Sequence, residues 1–416
     1  MNFFEELEWR HLLKDMTDEE GLAKQLEQPT TIYCGFDPTA DSLHIGHLQQ
    51  LILLKRYQQQ GHFPIALIGG ATGSVGDPSG KSSERVLQSL ETVQDNVKSI
   101  QKQIEHILDI ENYPIKVLNN YDWLSEISML ELLRDYGKHF NLNTMLAKET
   151  VSSRLDTGIS FTEFAYTILQ AIDWLKLYQE HNCKVQIGGS DQWGNLISGS
   201  ELIRKMLGHE HQVFGITSPL ITKSDGSKFG KSEGNNVWLD PNKQSPYSFY
   251  QYWINVADED IEEFSRRLSL KPVAELIEIF EEHNKAPHLR HAQKQLAQEM
   301  TELVFDKESL EQALKITETF FSNKLESLNA QEIKMALEGA PQIIIEDTKS
   351  LIDTLDEAGF VRSKSEARTL IKQGSISVNG EKVDDFDYQL SKANAIDEEI
   401  IIVRRGKKNY LMVQVK

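Results

Sequence analysis

The densest chemistry in the chain lies in Tyr33-Cys34-Gly35-Phe36-Asp37-Pro38-Thr39-Ala40-Asp41-Ser42-Leu43-His44-Ile45-Gly46-His47. An extended run ends near Phe36, a turn rich in Pro, Asp and Ser follows, and the spacing predicts a helix opening near Leu43. His44 and His47 then project together from a helix N-terminus, whose free N–H groups and positive dipole attract anions. Gly46 keeps the space between them clear. Imidazoles so placed donate hydrogen bonds to charge growing on a phosphate. On these residues alone two other uses stay open. One is structural helix capping; the other is zinc, although neither the Glu of a zinc protease motif nor a cysteine cluster accompanies the pair.

A second glycine-rich run, from Gly69 to Ser82, follows the apolar stretch Ile65 to Ile68. It falls short of a Walker loop: Val75 stands where the first glycine belongs, Gly76 comes one residue late, and Pro78 stiffens the backbone. The spacing suits a loop that brings Asp77 to a substrate amine or hydroxyl. A third run, Thr222 to Gly234, is rich in Gly, Ser and Lys and holds Lys228 and Lys231 three residues apart. Such a loop can close over a polyphosphate and strengthen its contacts as charge shifts to leaving pyrophosphate, or it is a plain surface connection. Fourth, Tyr166, Gln170 and Asp173 share one face of a predicted helix whose other residues are apolar, either solvated or lining a polar pocket. The run Gly188-Gly189-Ser190-Asp191-Gln192-Trp193-Gly194-Asn195 directly follows a predicted strand, where α/β enzymes place ligand contacts.

The elements that must position these residues alternate. Thr30 to Phe36, Phe63 to Ile68, Ile115 to Leu118 and Lys184 to Ile187 read as strands. Leu48 to Gln60, Ser83 to Leu108, Ile127 to Tyr136 and Phe161 to Glu180 carry apolar residues at helical spacing. The expected solution is an α/β fold with a doubly wound, parallel, Rossmann-like sheet. Asp258 to Phe321 reads as all-helical, and 322 to 348 as a connection with a short element of its own.

The 416 residues suggest roughly three units, at about 150 residues each. With 39% hydrophobic and 26% charged residues, global disorder is excluded. The formal charge of −19 argues against coating nucleic acid or membrane through bulk charge. Two cysteines, Cys34 and Cys183, are too few for a disulfide framework or a four-cysteine zinc site. With no signal peptide at the start and no apolar stretch near the ~20 residues a bilayer requires, a cytoplasmic protein without membrane contact is expected.

The last block changes sign: residues 361 to 416 carry +3, leaving −22 on the rest. Ser363-Lys364-Ser365-Glu366 fits a capping box, and Lys364, Arg368 and Lys372 fall four apart on the helix it would start. Asn379-Gly380 between β-prone runs signals a hairpin. This is either a phosphate-facing basic helix beside a small β-unit or an ordinary solvated face.

Taken together, in this order and spacing, the four segments resemble the bacterial tyrosyl-tRNA synthetases, a class I aminoacyl-tRNA synthetase family. His44-Ile45-Gly46-His47 matches the HIGH signature fully. Lys228-Phe229-Gly230-Lys231-Ser232 matches KMSKS at both lysines and the serine and departs at the two middle positions. The resemblance covers essentially the whole chain and ends in a small RNA-binding domain also found in a ribosomal small-subunit protein and in pseudouridine synthases. It implies a catalytic domain over 1–220, a lid and helical anticodon-recognition domain over 221–325, a linker over 326–348 and an RNA-binding domain over 349–416.

It also implies roles. Tyr33 and Asp173 would bind the phenolic hydroxyl of tyrosine, and Tyr166, Gln170 and Asp77 its ammonium group. Cys34, Gly35, Asp37, Gly46, His47, Asp191 and Gln192 would surround the ribose and the reacting carboxylate. Thr39 and His44 would reach the outer phosphates, with Lys81, Arg85, Lys228 and Lys231 completing a clamp. Arg362, Lys364, Arg368 and Lys372 would meet RNA. ATP is then a substrate that carries its own Mg²⁺, with no tightly held metal ligated by the protein. The partners are L-tyrosine, tRNA(Tyr) and a second copy of the chain. A tryptophanyl-type synthetase and a non-catalytic RNA-binding factor with this fold are the alternatives.

Overall fold

A computed structural model describes the chain except for residues 80–86, 114, 157, 227–228, 233–234, 323, 325–326 and 407–408; of 149–150, 231–232, 235 and 321 it describes the backbone alone. The chain divides into two compact units, 1–240 with 256–296 and 241–255 with 297–416.

The first unit is built on five strands, β1 (Thr31–Phe36), β2 (Phe63–Ile68), β3 (Lys116–Asn119), β4 (Cys183–Gly189) and β5 (Phe214–Ser218). Their order is β3-β2-β1-β4-β5, and every pairing is parallel. Four of the strands stand where the residue pattern puts them. The fifth, β5, goes beyond that pattern, and a separate two-stranded ribbon, β6 (Lys231–Ser232) with β7 (Asn235–Asn236), follows it in the chain. The order reverses between β1 and β4, so the crevice at their carboxyl ends is the natural ligand position of such a sheet. The turn after Phe36 and the turn after Gly189 both open there.

The helices that matter for the crevice are α1 (Phe3–Trp9), α2 (Ile45–Gln59), α3 (Leu90–Leu108), α4 (Tyr121–Leu124), α5 (Phe161–His181) and α6 (Trp193–Leu207), with α7 (Asp258–Leu268) and α8 (Val273–Lys285) later in the same unit. Leu48, Leu51, Ile52, Leu53 and Leu54 of α2 are all buried, which makes it a core helix rather than a surface one. Tyr33, Ile65 and Leu67 of the sheet pack with Ile172, Trp174 and Leu175 of α5 and Leu202 and Ile203 of α6. This core fixes the facing ends of β1, β2 and α5.

Two helical expectations change. The helix expected from Ser83 begins at Leu90, because Ser89 caps it by accepting the Thr92 N–H at 3.1 Å; positions 83–86 lie outside the described residues. The helix expected over Ile127 to Tyr136 starts at Met129, with an α-helical first turn, Met129–Glu131, that widens into a π-helical second half, Leu132–Tyr136. Ile127, Leu132 and Tyr136 pack against the core, while Met129 and Leu130 are 76% and 80% exposed.

The region 258–321 is helical, as expected: α7, α8 and the helices His291–Val304 and Lys307–Ser322. In the second unit, α9 (Lys307–Ser322) is followed by α10 (Ala330–Ala336), then β8 (Gln342–Ile345), β9 (Lys349–Ser350), α11 (Leu351–Glu357) and α12 (Lys364–Lys372). Strands β10 (Ile376–Val378), β11 (Glu381–Lys382), β12 (Gln389–Leu390), β13 (Ile400–Arg405) and β14 (Asn409–Val415) complete it. The main sheet runs β11-β10-β13-β14-β8, while β9 pairs with β12. The connection after 322 therefore contains α10 and supplies a strand, β8, to this sheet. Asn379 and Gly380, at φ of 46° and 89°, turn β10 into β11 as the Asn-Gly signal predicts. The capping box at α12 is half formed: Ser363 accepts from the Glu366 N–H, but Glu366 reaches past the cap to the Arg362 N–H.

Candidate active site

His44 is the N-cap residue of α2, and its backbone is extended at φ −127°. Its Nδ1 accepts the Gly46 N–H at 3.0 Å, and Nδ1 of His47 accepts the His44 N–H at 3.2 Å. With Nδ1 an acceptor in both neutral rings, both protons reside on Nε2. The rings lie 4.1 Å apart, centroid to centroid. A Cβ on Gly46 would stand 2.7 Å from Cε1 of His44, so glycine there does keep the ring in place.

The expectation of free N–H groups at this helix end is overturned. Ile45 donates to the Val237 carbonyl, Gly46 to His44, and His47 to the His44 carbonyl at 2.8 Å. The first turn spends its N–H groups on orienting the imidazoles, and these, with the helix dipole, are what the helix end brings to an anion. Thr39, exposed, donates its N–H to the Asp37 carbonyl at 2.9 Å. Gly35 is open to solvent at the end of β1. Cys34 beside it is buried, and burial pushes its thiol up to about 12, so it acts as a neutral packing and hydrogen-bonding group.

Beneath the histidines lies a chain of satisfied polar groups. Asp173 of α5, 2% exposed, accepts Asn120 Nδ2 at 2.9 Å and Trp123 Nε1 at 2.8 Å. Burial pushes its carboxyl up to about 7, while these two donors pull it back. Asn120 also donates to Thr72 Oγ1 at 2.9 Å and accepts the Ala71 N–H at 2.8 Å, so its amide has one orientation. Thr72 passes its hydroxyl proton to Asp37 Oδ1 at 2.8 Å, and the Tyr166 hydroxyl donates to Asp37 Oδ2 at 2.9 Å. A Cβ on Gly69 would fall 2.0 Å from Asp37 Oδ1, which makes glycine obligatory at the end of β2.

A second link joins the loop after β2 to the loop after β4. Asp77 accepts the Ser79 N–H at 2.9 Å and Gln192 Nε2 at 2.7 Å, and Asn195 donates to Gln192 Oε1 at 3.1 Å. Against this background the buried hydroxyl of Tyr33 and Oε1 of Gln170 make no hydrogen bond among the described residues. Burial, then the nearby Asp173 carboxylate, raises Tyr33 well above the ordinary phenol range. Unpaired buried polar atoms are costly, and here they mark where a ligand with its own donors and acceptors fits.

Tyr33, Asp37, Tyr166 and Asp173 are thus brought together, and Asp77 and Gln192 form the neighbouring link. Lys81, Arg85 and Lys228 lie outside the described residues, and Lys231 is described only as backbone, in a two-residue strand paired antiparallel with Asn235–Asn236. In the second unit Arg362, Lys364, Arg368 and Lys372 are exposed, but Lys364 is ion-paired with Asp353 at 2.8 Å. Thr72, Asn120 and Trp123 go beyond the residue patterns. The signal for Asn120 was its place just past a strand end; nothing local marks Trp123.

Sheet order, crevice and histidine pair together define a class I synthetase: a family model described as tRNA synthetases class I (W and Y) matches residues 24–322. A second, described as the tyrosine–tRNA ligase SYY-like C-terminal domain, matches 332–413. Similar proteins include a tyrosine–tRNA ligase of Listeria monocytogenes serotype 4b (strain F2365), 49% identical over 419 residues, and tyrosine–tRNA ligase 2 of Bacillus cereus (strain ATCC 10987 / NRS 248), 50% identical over 418 residues; each alignment covers both chains fully. Among solved structures, a C-terminally truncated mitochondrial tyrosyl-tRNA synthetase of Aspergillus nidulans superposes with a TM-score of 0.69 at 30% identity, covering 77% of this chain and 94% of that one. The chain belongs to the class I tRNA synthetases, in their tyrosine–tRNA ligase branch.

Among the described residues no helix is long and apolar enough to cross a membrane.

Proposed function

We propose that the chain joins L-tyrosine to tRNA(Tyr) in two steps. The tyrosine carboxylate attacks the α-phosphorus of ATP in line, an oxygen–phosphorus bond forms, and pyrophosphate leaves. The terminal ribose hydroxyl of the tRNA then attacks the tyrosyl carbonyl and releases AMP. The observation that carries this reading is the unpartnered Tyr33 hydroxyl near the buried carboxyl group of Asp173, which two fixed donors hold in place. A phenol can donate to a remaining lone pair of Asp173 and accept from the Tyr33 hydroxyl; phenylalanine would leave that hydroxyl unmet.

On this reading Gln170, Tyr166 and Asp77 receive the ammonium group, with Tyr166 turning from Asp37 or sharing it. Asp37, Asp191, Gln192, Cys34, Gly35, Gly46 and His47 border the ribose and the carboxylate. His44 with Thr39, joined by Lys81, Arg85, Lys228 and Lys231, meets the phosphates. The substrate carboxylate is already ionised near pH 7, so no protein nucleophile is required. Positioning and charge stabilisation carry the rate. Mg²⁺ would arrive on the nucleotide: both oxygens of Asp37 and of Asp77 already accept from groups of this chain.

The exposed Met129, Leu130, Leu133, Leu142 and Phe161 offer an apolar surface suited to a second copy of the chain. Arg362, Arg368 and Lys372 suit the tRNA backbone, with Lys364 joining if it leaves Asp353. The cytoplasm, where tRNA is charged, is the compartment this implies. ATP–pyrophosphate exchange measured with each amino acid separately tests the reading. Tyrosine alone should support it; exchange with tryptophan, or with none, would replace it by one of the two alternatives.

A further inference from the structure

The turn that presents the histidines is held from outside by helix α3. Asn96 and Gln103 stand seven residues apart, two helical turns, so they share the face of α3 that buries Val93, Val97, Ile100 and Ile104. An amide in an apolar stripe is costly unless its hydrogen bonds are made. Here they are made to the segment between β1 and α2. Asn96 Nδ2 donates to the Pro38 carbonyl and to Gln88 Oε1, both at 3.1 Å, and Gln88 Nε2 donates to the Thr39 carbonyl at 3.2 Å. At the other end Gln103 Oε1 accepts the Leu43 N–H at 2.8 Å, and its Nε2 donates to Ser42 Oγ at 3.1 Å. Seven residues of helix span about 10 Å, so the two amides grip the turn at separate points, on either side of Ala40 and Asp41.

The Gln103 contact lies directly before His44. Ser42 Oγ, accepting from Gln103, donates to the Leu43 carbonyl at 2.7 Å. That carbonyl also accepts the Leu239 N–H at 2.9 Å. Gln103 thereby acts on both peptide groups of Leu43, on the N–H directly and on the C=O through Ser42. The second of these peptide planes contains the His44 N–H, which donates to His47 Nδ1. Leu43 itself is 1% exposed, so its side chain pins the same point from below. An apolar residue at 103 would complete the buried stripe of α3 without any desolvation cost. The amide is spent on the turn, and the line along which His44 leaves it follows from these bonds.

We propose that Gln103 is a positioning residue for the activation step: through Leu43 and Ser42 it aims the His44 imidazole at the phosphates. It acts through His44 and not on a reacting atom. A displaced donor loses more in the transition state, where charge has grown, than in the ground state. The inference rests on the ATP-activating function proposed above.

The test uses the full chain with Gln103→Met, Ser42→Ala, and each of these combined with His44→Ala. Gln103→Met should slow single-turnover adenylate formation at saturating ATP by about tenfold, with KM for ATP and the dissociation constant for tyrosine within about twofold. Ser42→Ala, which removes only the indirect arm, should slow it by about threefold. On top of His44→Ala either substitution should cost less than about twofold more, because the donor they aim is gone. Equal factors in the two backgrounds, a matching loss of tyrosine affinity, or full activity of Gln103→Met would overturn the proposal. If Gln103→Met fails to fold, Ser42→Ala decides by the same cycle. Histidine labelled with ¹³C gives a reading free of catalysis. The His44 ring signal, assigned by its loss in His44→Ala, should shift in Gln103→Met or Ser42→Ala, and an unmoved signal also overturns the proposal. Absence of tyrosine-dependent exchange in the unaltered protein would instead defeat the activity reading and leave the ring signal to decide the positioning.

Discussion

Around Asp173 the side chains satisfy one another through a fixed series, Trp123 and Asn120 to Asp173, Asn120 to Thr72, and Thr72 with Tyr166 to Asp37. Around His44 the backbone does this work, and the side chains are left to face the ligand with a chosen tautomer. In the function proposed, the first arrangement would recognise a neutral phenol, which needs one donor met by one acceptor in a dry place. The second would meet phosphates, whose charge moves during the reaction and which are served by donors on loops and a helix end. On this proposal selectivity would rest on the interlocked side chains and charge stabilisation on the helix end. The predictions below separate the two ends by asking which substrate each change harms.

The largest effect is expected from Asp173→Asn. The amide can accept from only one of Asn120 and Trp123 and presents its own N–H₂ to the other, and it confronts the phenol with a mismatched partner. Losing a charged acceptor and stranding buried donors, at about 1–3 kcal/mol per group, should lower kcat/KM for tyrosine on the order of 10³-fold. KM for ATP, measured by pyrophosphate exchange at saturating tyrosine, should change little; an equal loss in ATP would dissolve the division between the two ends.

Next comes the scaffold of the amino-acid end. Arg154 and Glu163, 4% and 1% exposed in their side chains, form an ion pair at 3.0 Å in the first turn of α5, the helix that carries Tyr166, Gln170 and Asp173. Arg154→Met leaves the carboxylate of Glu163 without its buried partner, at a cost of about 3 kcal/mol or more. Urea unfolding should show it, and replacing Glu163 by Gln in the same chain should recover part of the loss. Full recovery of neither stability nor tyrosine affinity in the double variant would show that the pair specifies geometry as well.

His44→Ala sharpens the other side. It removes one Nε2–H donor, the acceptor of the Gly46 N–H and one capping group, so adenylate formation should slow by roughly 10²-fold, the usual scale for one oxyanion-type donor. Tyrosine binding should stay within about twofold. His44→Asn, which can still accept from Gly46, should restore the cap and part of the rate. A large loss of tyrosine affinity with normal activation would overturn the assignment.

How far the residues foretold these two ends differs for the same reason. The histidine turn was legible because its parts lie within a few positions of one another, His44 capping the helix that Gly46 and His47 open; Lys228 lies outside the described residues. The amino-acid end was legible only on α5, where helical spacing places Tyr166, Gln170 and Asp173 on one face. Asn120 and Trp123 lie some 50 positions from the carboxylate they hold, and only the packing of β3 and α4 against α5 brings them there. Parallel strand and helix alternation foretold the sheet but not the helix ends, which were decided by Ser89 and His44 as caps. The stretch 129–136 is helical as its spacing foretold, but of its apolar residues only Leu132 and Tyr136, with Ile127 before them, lie against the core, while Met129, Leu130 and Leu133 form an exposed apolar surface that spacing does not distinguish from a buried one.

The smallest effect is also the one that joins the two descriptions of Asp173. Burial raises its folded-state carboxyl to about 7 from 3.8, so the free protein holds the proton that an unfolded chain has already lost. Its contribution to stability is fully present below about pH 4, declines as pH rises toward 7, and is flat above that; Asp173→Asn should abolish this slope in urea unfolding. Tyrosine has the opposite preference. Its phenol donates to the ionised carboxylate, so binding favours loss of the proton. Tyrosine affinity should therefore be about tenfold tighter at pH 8 than at pH 6, with proton release near pH 7 seen by calorimetry in buffers of different ionisation enthalpy. Asp173→Asn should bind weakly with no such slope, and His44→Ala should keep the slope unchanged, because His44 serves the other end. Affinity that falls with rising pH would mean that the protonated carboxyl donates to the phenol, reversing the roles of Asp173 and its ligand.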